Sequence, residues 1–199
     1  MTSPPPFLIA GHPAIDFVNS RATPEGMEID WLADADSMMD WAAALGLFPV
    51  ADLRELQRKT GPVRLAEIAK EMRELRESVR AQLANPTRLR TNAQLWRTLN
   101  EILARGSAFH ALRKAEGKAK LDDYERLESP GQMLVPIAKA IGKLIVDADL
   151  TRVRACEGHG CSLWFLDQTK AGRRRFCSAS ACGNRAKVAA FRARQRHGT

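Results

Sequence analysis

Residues 156–182 read CEGHGCSLWFLDQTKAGRRRFCSASAC and contain all four cysteines of this 199-residue chain. The cysteines form two pairs, Cys156 with Cys161 and Cys177 with Cys182, with four residues inside each pair and fifteen between the pairs. Two such pairs predict a tetrahedral zinc site, because each pair can form a loop that supplies two thiolates. A site closed by four protein ligands leaves no position for water or substrate, so we expect one structural Zn²⁺.

Other roles for the cysteines are disulfide bonds, a redox-active thiol pair or a different metal, and His159 could replace one thiolate as a ligand. The opening segment, MTSPPPFLIAGHPA, has neither a basic start nor a convincing apolar stretch, so we expect no export signal and a cytoplasmic location. This favours zinc over disulfides. We also expect no membrane-spanning segment, because no apolar run approaches the roughly 20 residues that a bilayer requires.

Charge is divided unevenly along the chain, whose formal net charge is +8. Residues 151–199 contain 11 lysines and arginines against Glu157 and Asp167, whereas the first 150 residues contain 20 basic and 21 acidic groups. A basic block of this kind indicates a nucleic-acid-binding segment, although a solvated basic tail would have the same composition. Because the cysteines and the basic excess coincide, we predict two domains, at residues 1–150 and 151–199.

The end of the second domain, NRAKVAAFRARQR, predicts a helix that begins near Cys182 or Gly183. Val188 and Phe191 are expected to face inward between two basic flanks. The apolar run Leu163–Leu166, with Phe176, is expected to complete the packing, although Trp164 or Phe165 could stack on a base instead. The residues that we expect to contact nucleic acid are Arg173, Arg174, Arg175, Arg185, Lys187, Arg192, Arg194 and Arg196.

Residues 1–150 predict a mainly helical α+β domain. Apolar side chains spaced by three and four predict helices after the capping residues Asp36 or Ser37, over 62–84, over 92–105 and after Pro130. A short helix is expected over ADLRELQRK. The stretch AFHALRKAEGKAKLDDYERL, with Gly117 at its centre, predicts a β-hairpin. We expect the first apolar stretch to be a strand or loop that buries Ile15, Phe17 and Val18.

Catalytic patterns are absent from the sequence: it contains no P-loop, GxGxxG, GxSxG or HExxH motif, and we expect no enzymatic activity. Asp16 and Asn19 are polar residues within an apolar stretch, where they could cap a helix or line a ligand pocket with Arg76. Arg73, Arg76 and Arg80 share one helical flank, which we interpret as a solvated face paired with glutamates.

The C-terminal residues resemble the CGNR zinc-finger family, named for the tetrapeptide that begins at Cys182. The stretches CEGHGCSLWFLD and RRRFC fit the same pattern, and the N-terminal GHPAIDFVNS resembles the ABATE domain that usually precedes this finger. Members are regarded as stress-induced bacterial transcription regulators. The resemblance implies zinc bound by the four cysteines in a zinc-ribbon or treble-clef-like module, and DNA binding by the basic finger. RNA or a protein partner is the alternative, and the N-terminal domain is expected to sense a small molecule, form a homodimer, or both.

Overall fold

The computed structural model describes residues 5–197, apart from the side chains of Glu25, Arg113, Ala115, Asp123, Arg196 and His197. Its helices are α1 Pro13–Val18, α2 Ala35–Ala44, α3 Val50–Lys59, α4 Pro62–Arg80, α5 Ala93–Leu103, α6 Val135–Asp147 and α7 Asn184–His197. The strands form three antiparallel two-stranded ribbons: β1 Arg21–Ala22 with β2 Ile29–Asp30, β3 Ala108–Ala115 with β4 Lys118–Glu125, and β5 Val153–Ala155 with β6 Trp164–Leu166. The predicted mainly helical α+β fold is therefore confirmed.

The first apolar stretch is helical, contrary to the strand or loop that its sequence predicted. Helix α1 begins at Pro13 because His12 caps it, with Nδ1 accepting from the Ala14 N–H at 3.2 Å. The helix buries Ile15, Phe17 and Val18, as expected, and packs against α4, α6 and β6. At six residues it is too short to display a clear helical period, so only its capping chemistry could have identified it.

The cap of α2 also differs from the prediction of Asp36 or Ser37. The side chain of Asp34 accepts a hydrogen bond from the Ser37 N–H at 2.8 Å, so Asp34 is the N-cap residue. The chain turns after this helix at Gly46, whose φ of +63° suits a residue without a Cβ. Helices α3, α4 and α5 lie where the sequence predicted them, although α4 and α5 end a few residues earlier than expected.

One flank of α4 holds the N-terminal segment in place, and it is not the solvated face that we expected. The expected pairing with a glutamate is present, because Arg76 and Arg80 lie 2.9 and 3.4 Å from Glu77. Arg76 is 1% exposed and forms a two-point ion pair with Asp30, at 2.6 and 2.8 Å. Arg73 donates to the carbonyls of Leu32 and Ala33, and Arg80 donates to the carbonyls of Val18 and Arg21. The three guanidinium groups therefore satisfy backbone oxygens and one carboxylate of the segment that contains β1 and β2.

The β3–β4 hairpin is present as predicted, and its two-residue turn consists of Glu116 and Gly117 with φ of 51° and 79°. Two residues with positive φ are characteristic of the turn type whose twist matches that of a hairpin. After the hairpin, a 3₁₀ turn at Pro130–Leu134 leads into α6, which crosses the centre of the domain and buries Ile137, Ile141 and Leu144.

The C-terminal module (residues 151–197) packs onto the rest of the chain through a shared core. Buried side chains of the module, among them Leu163 and Phe165, belong to the same apolar cluster as Ile15 and Phe17 of α1. Helix α7 follows a π-helical turn at Ala179–Gly183. Within residues 5–197, no helix has both the length and the apolar character that crossing a bilayer would need.

Val188 and Phe191 do not face inward, which corrects the sequence prediction for α7. They are 41% and 53% exposed, and no described side chain of α7 is buried. The helix extends away from the cysteine cluster, so its first turn is anchored while the remaining turns lie beside solvent.

Candidate metal centre

The four thiols converge at one point of the C-terminal module. The sulfur atoms of Cys156, Cys161, Cys177 and Cys182 all lie within 4.8 Å of one another, with Cys177 Sγ 3.5 Å from Cys182 Sγ and 3.9 Å from Cys161 Sγ. Four sulfurs placed about 2.3 Å from a central Zn²⁺ in tetrahedral geometry would be separated by about 3.8 Å. All four cysteines are free of disulfide bonds. The cluster therefore has the donor set and the spacing of a closed four-thiolate site.

Hydrogen-bond donors around the sulfurs support the charged form of the cluster. The N–H groups of Cys177 and Gly158 donate to Cys156 Sγ, at 3.2 and 3.4 Å, and Arg185 Nη2 lies 3.0 Å from Cys182 Sγ. Between the thiols, the hydrogen bond from Cys177 lowers the pKa of Cys161 to about 5 and raises the pKa of Cys177, while burial raises the pKa of Cys182 to about 12. Full ionisation of the four thiols therefore needs a cation to compensate their charge. Donors aimed at sulfur stabilise thiolates, the form in which cysteine binds metal.

The loop between Cys156 and Cys161 needs a glycine at position 158. A Cβ on Gly158 would lie 2.9 Å from Cys182 Sγ and 3.3 Å from Cys156 Sγ, inside contact distance of two metal ligands. The backbone therefore approaches the cluster more closely than any other residue type would permit. His159 is exposed on the same loop and is not one of the four converging donors, so the cysteines alone form the site.

Asp167 and Arg174 organise the long loop between the two cysteine pairs, and the sequence prediction missed Asp167 entirely. Asp167 is fully buried and accepts hydrogen bonds from the Thr169 N–H, the Thr169 hydroxyl and the Arg174 N–H, at 2.9, 2.6 and 2.8 Å. The Thr169 hydroxyl, with these N–H groups, holds the pKa of Asp167 below its ordinary value. An aspartate followed two residues later by threonine is the local signal that could have indicated this turn.

Arg174 has a structural position, which corrects its assignment to the nucleic-acid surface. Its guanidinium donates to the carbonyls of Phe176, Cys177 and Ile9, and it stacks over the Phe165 ring with a distance of 4.4 Å to the centroid. These contacts join the second cysteine pair to the N-terminal segment. They also engage Nε and Nη2 of its guanidinium, so fewer N–H groups are left to donate to a phosphate.

Asn19 connects the N-terminal segment to the module through two hydrogen bonds to one residue. Its Nδ2 donates to the Trp164 carbonyl and its Oδ1 accepts from the Trp164 N–H, both at 2.9 Å. These are the groups that β6 directs away from β5, so the side chain of Asn19 takes the place of a neighbouring strand. Nearby, the Leu166 N–H donates to the Ala10 carbonyl at 2.7 Å.

Gly11 permits this close approach, since its φ is +78° and a Cβ there would lie 3.0 Å from the Leu166 carbonyl oxygen. A side chain at this position would thus be strained by the backbone angle and by contact with β6. The glycine in GHPAIDFVNS therefore has a packing role at the junction between α1 and the module.

The three residues proposed for a ligand pocket have separate protein partners. Asn19 binds Trp164, and Arg76 binds Asp30. Asp16 accepts from the Ala10 N–H at 3.0 Å, and burial raises the pKa of its carboxyl group. The structure thus gives each side chain a role in holding the N-terminal segment, and it does not bring the three together around a common space. The alternative that Asp16 or Asn19 caps the start of a helix is also not realised, because His12 has that position.

The remaining basic residues lie on the outside of the module. Arg173 is exposed, and Arg175 is exposed but pairs with Glu157 at 2.6 Å. Arg185, Lys187, Arg192 and Arg194 are exposed along α7, whereas the side chain of Arg196 lies outside the part of the chain that the structure describes. Between the Gly158–Gly160 loop and α7 there is an open groove of about 670 Å³, into which Arg185 projects.

A four-cysteine centre formed by two loops, with the last ligand immediately before a helix, defines a zinc-finger protein. Comparison with protein families agrees: the CGNR zinc finger matches residues 152–195. The ABATE family, described as "Putative stress-induced transcription regulator", matches residues 11–148. The chain therefore belongs to the ABATE family and ends in a CGNR zinc finger, whose cysteines hold one zinc ion. A search of curated proteins finds no match for the chain.

Proposed function

We propose that this protein is a cytoplasmic transcription regulator that binds DNA through its zinc finger, mainly through α7. The observation that supports this most directly is the composition and exposure of α7, which has exposed basic residues along its length and no acidic residue. A helix whose described side chains are all at least partly solvated gains little from the core of its own protein. Its charge is suited to a polyanion.

The side chains of α7 are arranged as two basic flanks with an apolar strip between them. Arg185 and Arg192 are seven residues apart and therefore share one side of the helix, while Lys187 and Arg194 share another. Val188 and Phe191 lie between these flanks and are exposed. The opposite side consists of alanines, the strongest helix formers, which explains how α7 can persist with few contacts.

The dimensions of α7 suit the major groove of DNA. Its 14 residues span about 21 Å, and a helix with side chains is about 10–12 Å wide, against a groove about 12 Å wide. If the apolar strip of α7 faced the floor of the groove, the two basic flanks would lie toward the phosphates of the two DNA strands. Val188 and Phe191 would lie toward the bases, where thymine methyl groups offer apolar contacts.

If the finger binds DNA in this way, the N-terminal domain would fix the orientation of the finger relative to the rest of the protein. Asn19, Arg174 and the shared core attach the finger to α1 and the segment before it. A sensing role for the domain would not use Asp16, Asn19 and Arg76, since these side chains are bound by protein groups.

The salt dependence of DNA binding tests this function. If Arg173, Arg185, Lys187, Arg192 and Arg194 neutralise about five phosphates, log K should fall with log[salt] with a slope of about −4 to −5. Affinity for a 24-base-pair duplex would then decrease about 500-fold between 50 and 200 mM salt. The zinc-loaded protein is titrated into labelled duplex, and binding is followed by fluorescence anisotropy at each salt concentration.

Two sets of variants distinguish binding through the basic residues of α7 from attraction by the net charge of the protein. Arg192→Gln with Arg194→Gln should reduce the steepness of the slope by about 2. The control Arg97→Gln removes an exposed arginine from α5, away from the finger, and should leave the slope unchanged. Absence of binding at 50 mM salt, or equal effects of the two sets of variants, would exclude the proposal. Stronger binding to structured RNA of equal charge would replace DNA with RNA as the partner.

A further inference from the structure

The β3–β4 hairpin projects from the N-terminal domain. None of the described side chains between Ala108 and Glu125 is buried. Leu112 and Leu121 lie directly opposite each other in the ribbon and are 77% and 62% exposed. An isolated two-stranded hairpin is only marginally stable in water, and a third strand or a packed face is usually needed.

The two faces of the hairpin differ in what they contact. On one face, Phe109 stacks on Tyr124 with 5.6 Å between ring centroids, and Arg126 lies 5.1 Å from the Phe109 centroid. On the other face, near the base, Lys139 of α6 pairs with Glu125. Leu112 and Leu121, nearer the tip of that second face, have no comparable cover. The apolar pair and the two strand edges are therefore the parts of the hairpin that a partner could complete.

The register of the hairpin shows which backbone groups of β4 point to its free edge. The Arg126 N–H donates to the Ser107 carbonyl at 3.0 Å, which places this pair among the hydrogen-bonded pairs of the ribbon. Such pairs alternate with non-bonded ones, so Lys120 and Asp122 bond to β3. The N–H and C=O of Leu121 consequently point away from β3, to the edge of the ribbon.

We propose that this edge pairs with β4 of a second copy of the chain, forming an antiparallel four-stranded sheet across a twofold axis at Leu121. A twofold axis perpendicular to an antiparallel pair requires one residue to lie opposite itself. Within one chain Lys120 Nζ pairs with Asp122 Oδ1 at 2.8 Å. Centring on Leu121 extends this pair into a network of alternating charge, because it places Lys120 opposite the partner's Asp122 and Asp122 opposite the partner's Lys120. Centring on Lys120 or on Asp122 would instead place like charges opposite each other, which is unfavourable.

The same register brings the exposed leucines together. Leu112 and Leu121 occupy one face of the ribbon, and the twofold axis adds the equivalent pair of the second copy to the same face, so four leucines become adjacent. Pairing through the β3 edge is less suitable, because centring on Leu112 would place His110 opposite the partner's Lys114. Charge complementarity, the free Leu121 backbone groups and the leucine pair thus favour one edge and one register.

Charge reversal tests the register in the full-length, zinc-loaded protein. We expect wild-type protein to dimerise reversibly. Sedimentation equilibrium at protein concentrations of roughly 1–500 µM covers the weak affinities that a small interface provides. Lys120→Asp or Asp122→Lys alone should weaken dimerisation about 10- to 100-fold, because each places like charges opposite each other twice. The double reversal, Lys120→Asp with Asp122→Lys, should restore dimerisation to within about threefold of wild type.

The control Lys114→Asp reverses an exposed charge on β3 and should leave dimerisation unchanged. Hydrogen exchange of wild type gives a second measurement: amide protection in residues 118–125 should rise with protein concentration while that in α4 stays constant. A protein that is monomeric throughout the range would overturn the proposal. So would a dimer that tolerates both single reversals, or single reversals that the double reversal does not rescue. Far-UV circular dichroism and zinc content confirm that each variant is folded.

Discussion

Replacement of Asn19 by alanine should destabilise the whole protein, because it removes the side-chain hydrogen bonds between the end of α1 and β6. The substitution deletes two hydrogen bonds of 2.9 Å and leaves the N–H and C=O of Trp164 without their partner. Asn19 is 1% exposed, so water does not readily replace its amide. A backbone group left unpaired in a buried setting costs about 1–3 kcal/mol, and two such groups give an expected loss of about 2–6 kcal/mol.

Urea denaturation of zinc-saturated protein measures this loss, with tryptophan fluorescence and far-UV circular dichroism as independent probes. The matched control is Asn100→Ala, which removes an exposed asparagine from α5 and should change the free energy of unfolding by less than about 0.5 kcal/mol. If Asn19→Ala is as mild as this control, then Asn19 does not act as a substitute strand for β6. The attachment of the finger would in that case depend on apolar packing alone.

Two further predictions concern pH and zinc. Burial raises the pKa of Asp30, but the hydrogen bonds from Arg76 and the Leu32 N–H, with the charges of Arg76 and Arg21, together outweigh burial and leave this pKa below its ordinary value. The Thr169 hydroxyl and nearby N–H groups likewise lower the pKa of Asp167. A carboxyl group with a lowered pKa contributes stability that is present above its ordinary pKa of about 4 and is lost as pH falls through the folded value. The urea midpoint of the wild-type protein should therefore decrease as the pH is lowered from about 5 to about 2. The midpoint of Asp30→Asn should decrease less steeply, because this variant has no carboxyl group to protonate at position 30. Equal pH dependence of the two midpoints would contradict this. Removal of zinc by EDTA should lower the unfolding temperature of the entire chain in one transition, because Cys156, Cys177 and Cys182 belong to the same buried core as α1. Calorimetry that shows a separate finger transition, with the remainder unchanged, would disprove the shared core.

The features predicted correctly from the sequence are those that have a strong local signal. The spacing of the four cysteines predicted their convergence, since two pairs of closely spaced thiols form the loops from which a tetrahedral metal site is built. Helix α4 was evident from its apolar period, and the β3–β4 hairpin from a glycine at the centre of a stretch without helical period. In each case residues close in sequence determine the structure, so no tertiary contact was needed to recognise it.

The features that were missed depend on partners far apart in the sequence. Asn19 and Trp164 are separated by 145 residues, and Arg174 and Ile9 by 165, so neither contact has a signal in its own segment. The arginines of α4 have the spacing of a solvated flank, and only the approach of β1 and β2 makes Arg76 a buried ion-pair partner. Val188 and Phe191 have the spacing of an inward face, but in the part of the chain that the structure describes they stay 41% and 53% exposed. Periodicity indicates which side chains share a side of a helix, and the fold alone determines whether that side is covered.

The attachment of the finger has a consequence for how two copies would engage DNA. A zinc finger of this size usually relies on its metal for stability, and here it also shares the core of its domain and is bound by Asn19 and Arg174. Each α7 is therefore fixed relative to the β3–β4 hairpin of the same chain. If two chains pair through β4, the twofold axis sets one distance and one orientation between the two α7 helices, which would favour inverted half-sites at a single spacing. A flexible tether between domain and finger would tolerate many spacings, so dependence of affinity on half-site spacing would report on the junction and the hairpin together.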